Sequence, residues 1–168
     1  RERLAHGRPG RDHDHLPALQ TVGQLVELGE IELRSAGNPV VLGDVTVTGI
    51  TVPHRGEYTD TLAYRIAGPG RTALYIPDVD PWARQPDPLA LFEDIDIAYV
   101  DGTFFSGDEL PGRDIEKIGH PLIVDTLELL GDRLANKTLD LRFIHLNHTN
   151  PALDVSSSAR HALEDAGA

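Results

Sequence analysis

The sequence has no cysteine. That removes disulfides, thiolate nucleophiles and cysteine-based zinc sites together, and leaves His, Asp and Glu as the strong metal ligands. No apolar run approaches the length of a transmembrane helix, and the first stretch, RERLAHGRPGRDHDHLP, lacks the apolar core of a signal peptide. The chain therefore reads as soluble, and a cytoplasmic setting is compatible with it. An initiator Met is missing as well, as expected of a processed, trimmed or incomplete product. Basic residues are in deficit: 15 Lys and Arg against 27 Asp and Glu give a formal net charge of −12. Such a surface repels phosphate backbones and anionic lipid, so membrane and nucleic-acid roles are disfavoured and a small-molecule substrate is expected.

What is present fits an ordinary globular chain. At 168 residues, 40% hydrophobic and 25% charged, it is long enough to bury a core and too apolar for disorder. Residues 1–17 are polar and without period, and read as a loose lead-in; residues 18–168 read as a single domain. ALQTVGQLVELG suggests a short helix ended by Gly29, and EIELRS alternates as a strand. PVVLGDVTVTGITVPH and TLAYRIAGPGRTALYIPD each split into two β-rich runs around Gly-containing turns, which predicts two hairpins. After the Pro-rich DPWARQPDP the pattern changes. A short helix is expected near Leu89 to Phe92, then strand IDIAYVD, helix PLIVDTLELLG, strand LDLRFIH and a last helix near Val155 to Ala166. A meander followed by alternation predicts an α/β (α+β) fold, a mixed sheet layered with helices.

Three strand-like runs end in a potential ligand: His54, Asp78 and His145. Strand ends are where α/β folds gather sites on a rigid frame, and His with Asp suits zinc, manganese or iron. The same pattern also fits histidines that cap strands and an aspartate that opens a turn before Pro81. His120 precedes a predicted helix, whose dipole favours the neutral ring; it can exchange a proton, bind metal or simply sit in solvent. Asp101, at another strand end, can orient a ligating imidazole or belong to an ordinary Asp-Gly turn. Asp80, Glu57 and Asp60 read as solvated loop acids. His13 and His15, with Asp12 and Asp14, offer ligand types on an unanchored, Arg-flanked segment and read as a solvated tail. In FIHLNHTNPALD, an apolar run stops at His145, with His148 three positions on.

VPHRGEYTDTLAYRI, LYIPDVDPW, YVDGTFFSGDELPGRD, IGHPLIVDTLELL and FIHLNHTNPALD occur in one order across most of the chain. Taken together, they resemble the C-terminal part of metallo-β-lactamase-fold hydrolases, in the branch related to pyrroloquinoline quinone (PQQ) biosynthesis protein B. The resemblance implies an αβ/βα sandwich with a metal site at the sheet edge, here without its N-terminal portion. It assigns His54, Asp78 and His145 as metal ligands, with Asp78 the carboxylate that bridges two ions in an intact site. His120 is assigned to proton transfer or substrate contact, so His120 and Asp78 would carry the catalysis. Asp101, His148 and Asn150 would stand behind the metal or near substrate; the PQQ proteins commonly have Asn where His148 stands. The family's HxHxDH motif is absent in recognisable form, so three ligands remain, about enough for one catalytic ion.

The implied cofactor is a divalent metal, zinc first, with manganese or iron as alternatives and one or two ions in an intact site. The implied activity is metal-dependent hydrolysis of an ester or phosphodiester. The alternative is a non-catalytic, oligomerising or partner-binding remnant of that fold. A sheet lacking its second layer exposes an edge and an apolar face, which predicts a homodimer or a separate N-terminal half as partner.

Overall fold

Gly43 (φ 60) and Asp44 turn Val40–Leu42 (β1) back into Val45–Val52 (β2), and the turn over 68–71 joins Thr61–Ala67 (β3) to Thr72–Ile76 (β4). Both hairpins form as their alternation and turn residues predict. The computed structural model describes residues 27–29, 32, 34–35, 37–55, 59–112 and 117–168. Two compact units divide the chain, Arg1–Arg34 and Ser35–Ala168.

In the first unit the lead-in, the Asp12–His15 cluster and most of the helix expected before Gly29 lie outside the described residues, and in the second so does Glu57. Gly29 itself is left-handed at φ 71, the conformation that ends helices. The alternating run over 30–35 is not a strand at described Glu32, Arg34 and Ser35. Alternation supplies a face, but a strand also needs a neighbour to pair with.

In the second unit six strands form one sheet in the order β1 to β6, completed by Ile97–Asp101 (β5) and Asp140–Ile144 (β6). The first four are antiparallel neighbours; β4, β5 and β6 run parallel. The mixed sheet with helices is the predicted class. Helix α1, Ile123–Ala135, buries Ile123, Thr126, Leu130 and Leu134, spaced three and four apart on one face. Leu130 and Leu134 join Ala63, Leu74, Ala98 and Leu141 in one core, so those strand residues face α1. Helix α1 runs through Gly131, where the sequence pattern stops, to Ala135, and the backbone N–H of its capping residue Asn136 donates to Asp132 O. The last helix, α2, spans Ser158–Ala166 and starts later than expected because Ser157 caps it, accepting from Arg160 N at 3.0 Å. Residues Leu89–Phe92 form a single 3-10 turn.

Trp82 ties the β4 exit to α1. Its Nε1–H donates to Thr126 Oγ1 at 2.9 Å, and its ring meets Phe92 edge-on at 5.8 Å. The loop carrying Asp78 is thereby fixed to the helix that begins just after His120.

Candidate metal centre

β2 and β4 deliver their C-terminal residues to one place. Past Ile76 the chain bends at Asp78, and Val79 is fully buried in the core. Asp78 and Asp80, one position to either side, both turn to His54. Asp80 N donates to Pro53 O at 2.8 Å, which staples this loop to the end of β2 beside His54. The His54 imidazole lies between the two carboxylates, with Nε2 3.1 Å from Asp78 Oδ1 and Nδ1 3.5 Å from Asp80 Oδ1.

β5 and β6 deliver the rest. Their parallel register pairs Asp101 with Ile144, so His145 follows directly beyond the pair. Gly102 permits this approach, since a Cβ there would lie 2.8 Å from Phe143 Cβ. Asp101 is 0% exposed and both oxygens are occupied. Oδ1 accepts from Thr103 N at 2.9 Å and Thr103 Oγ1 at 2.7 Å; Oδ2 lies 2.8 Å from His120 Nδ1 and accepts from Val79 N at 3.3 Å. Thr103 Oγ1 is also 3.3 Å from His145 Nδ1, and its lone pairs can accept from that ring. Asn150, buried, donates to Gly102 O at 2.8 Å and Thr103 O at 3.3 Å and accepts from Ala152 N. Its polar atoms hold the loop after β5.

One ligand atom from each of Asp78, Asp101, His120 and His145 lies within 4.8 Å of the others. Asp78 Oδ1 is within 3.4 Å of His120 Nδ1 and 3.1 Å of His54 Nε2, yet is buried without a hydrogen bond. An orphaned carboxylate oxygen among imidazoles suits a cation, and a set of N and O donors without sulfur suits zinc, manganese or iron. The residues fit a divalent metal. Of that cluster Asp78 and His145 have atoms to offer it, whereas Asp101, already saturated, can orient the others; the predicted ligand His54 is not one of the four and meets the cluster through Asp78.

The hydrogen bond to Asp101 raises the His120 pKa above its usual 6.5; burial opposes this, the charges of Asp101 and Asp78 add to it, and Arg55 works against it. The expectation that the helix dipole keeps this ring neutral is corrected here: a carboxylate at 2.8 Å outweighs a helix end. The folded state holds this proton more tightly than the unfolded state, so the stability it supplies is complete below about pH 6.5 and disappears as pH rises through the higher folded value. Chelator-treated protein should therefore lose stability above that pH, and His120→Gln should flatten the slope in urea titrations.

His145 adopts φ 59, left-handed and uncommon outside glycine. Alanine at this position keeps the strain and glycine relieves it, so metal-free His145→Gly should melt above His145→Ala by about 1 kcal/mol of stability. The 49% exposed His145 side chain marks the open side of the centre. His148 is exposed, its backbone N–H bonded to Asn147 Oδ1, and no contact joins its side chain to the centre among the described residues. Asp60 is exposed and lines a cleft of about 740 Å³ with His54, Arg55, Asp80 and Gln85.

Sequence reasoning missed two contributors. Asp80, read as solvated, is 9% exposed and bonded through Oδ2 to Arg84 Nη1 at 3.1 Å. The buried Val79 between two acids was its available signal. Thr103, two residues after Asp101, makes the short side-chain turn that such spacing allows.

The chain is similar to the zinc-bound PqqB of Methylobacterium extorquens at 18% identity, TM-score 0.59, over 88% of this chain and 59% of that one. It is also similar to the metallo-β-lactamase-fold protein YhfI of Bacillus subtilis at 21% identity, TM-score 0.51, over 76% of this chain and 47% of that one. The chain thus spans under two thirds of the length of either, and both likenesses are of fold. No curated protein matches it. The family model for the beta-lactamase superfamily domain matches residues 9–145, which is most of the chain: the protein belongs to the beta-lactamase superfamily.

Proposed function

We propose that this chain carries the C-terminal share of a metal-dependent hydrolase centre acting on an ester or phosphodiester. The observation that carries the reading is the convergence on Asp78: its orphaned Oδ1 stands between His54 Nε2 and His120 Nδ1, with His145 in the same cluster. His54, Asp78 and His145 would hold the ion. The chemistry a divalent ion such as zinc would supply there is a bound water with its pKa lowered to about 7 and polarisation of the bond under attack. Asp101 holds His120 by Nδ1, which leaves Nε2 as the edge that can give a proton to a leaving group. Thr103 and Asn150 keep Asp101 and the loop after β5 in place.

Metal content measured by mass spectrometry on tag-free protein tests the reading. Near-stoichiometric zinc, manganese or iron that disappears in His145→Ala and Asp78→Ala, with ester or phosphodiester hydrolysis lost alongside, supports it. Metal-free wild type sinks it.

A second reading, the partner-binding remnant, is favoured by the sheet face turned away from α1. Tyr64, Tyr75 and Tyr99 stand side by side across β3, β4 and β5, and the Arg142 guanidinium lies 5.6 Å from the Tyr99 ring centre. Tyr64 and Tyr75 are both exposed. A homodimer detected by light scattering and dispersed by Tyr75→Asp, in protein without metal, supports this reading over the first.

A further inference from the structure

We infer that Asp80 is a positioning residue that orients His54 for metal, an assignment that rests on the hydrolase reading above. Asp80 Oδ1 and His54 Nδ1 are both buried, and neither has a hydrogen-bond partner. They face one another across 3.5 Å. Open polar atoms inside a protein are costly, and a single N–H···O bond between these two satisfies both. The carboxylate has little freedom to turn elsewhere. Its Oδ2 accepts from Arg84 at 3.1 Å, its backbone N–H is bonded to Pro53 O, and Gly119 lies beside Oδ1, where a Cβ would come 3.5 Å from that oxygen and 3.0 Å from Arg55 Nε.

Metal-ligating imidazoles generally donate their second ring N–H to a carboxylate, carbonyl or water, which fixes both tautomer and ring angle. With Nδ1–H given to Asp80, His54 presents Nε2, the atom 3.1 Å from Asp78 Oδ1. The two acids of the Asp78-Val79-Asp80 segment therefore divide the work. Asp78 meets the ion directly and Asp80 aims the histidine beside it. Arg84, four residues on, holds Asp80 in turn.

The test is zinc affinity of the full chain by chelator competition for wild type, Asp80→Ala and Asp80→Asn, with proton–nitrogen NMR of His54 in the zinc-loaded protein. Asp80→Ala should bind zinc about 10–100-fold more weakly. Asp80→Asn keeps an acceptor oxygen and should recover most of that loss. The His54 Nδ1 proton should be hydrogen-bonded and slow to exchange in wild type, and lose that signature in Asp80→Ala. Equal zinc affinity in wild type and folded Asp80→Ala overturns the assignment and leaves the hydrolase reading standing, whereas wild type that binds no zinc overturns both. If Asp80→Ala does not fold, the wild-type spectrum decides: a His54 Nδ1 proton exchanging as fast as a solvated imidazole overturns the assignment.

Discussion

Asp101→Ala is expected to cost about 3–5 kcal/mol of stability in the metal-free protein, the range for removing one partner of a buried, hydrogen-bonded charge. The carboxylate is fully buried and serves four donors: Thr103 N, Thr103 Oγ1, Val79 N and His120 Nδ1. Alanine leaves Thr103 N and Val79 N without their acceptor, while Thr103 Oγ1 keeps His145 O at 3.3 Å and His120 Nδ1 has Asp78 Oδ1 at 3.4 Å, and unsatisfied buried donors cost far more than the bonds contribute when made. These donors belong to the β4 exit, the β5 exit and the loop before α1, so one side chain joins three segments of the centre. Asp101→Asn should cost less, about 1–3 kcal/mol, because Oδ1 can still accept from Thr103 while the new amide nitrogen confronts the N–H groups of Val79 and His120. Urea unfolding of chelator-treated protein measures both. A loss below about 1 kcal/mol for Asp101→Ala would show that water replaces the carboxylate and that the three segments are held by other means.

Much of the centre was legible because its residues terminate regular patterns. His54, Asp78, Asp101 and His145 each close an apolar alternation, and strands that run side by side bring their ends together. The β4, β5 and β6 register does this for Asp78, Asp101 and His145. What the sequence conceals is burial and long-range partnership. Asp80 looks like a solvated loop acid until the fold is seen to bury it against His54 and Arg84. His120 looks like a ring kept neutral by a helix end, because the dipole is local and visible. The acid that reverses the effect stands 19 residues earlier and meets the ring only through the fold. The Trp82–Thr126 bond, 44 residues apart, has no sequence signature either.

In metal-loaded protein, His120→Ala is expected to lower kcat on an ester or phosphodiester by about 10²–10⁴-fold, the usual contribution of a positioned acid or base, while metal content holds. The ring is held by Nδ1 against Asp101, and that bond is the largest cause of its raised pKa. The charges of Asp101 and Asp78 add to that rise, Asp78 the less of the two. A histidine hydrogen-bonded through one nitrogen is suited to donate from the other, and its value depends on how badly the leaving group needs a proton. The loss in His120→Ala should therefore be greatest for an alkyl leaving group and shrink to less than about tenfold for a nitrophenolate, which departs unprotonated. An equal loss for both, with metal gone, would instead place His120 among the ligands, as its position within 4.8 Å of Asp78 and His145 allows. The leaving-group series separates the two roles because a ligand supports every substrate alike, whereas an acid matters only where a proton must be delivered.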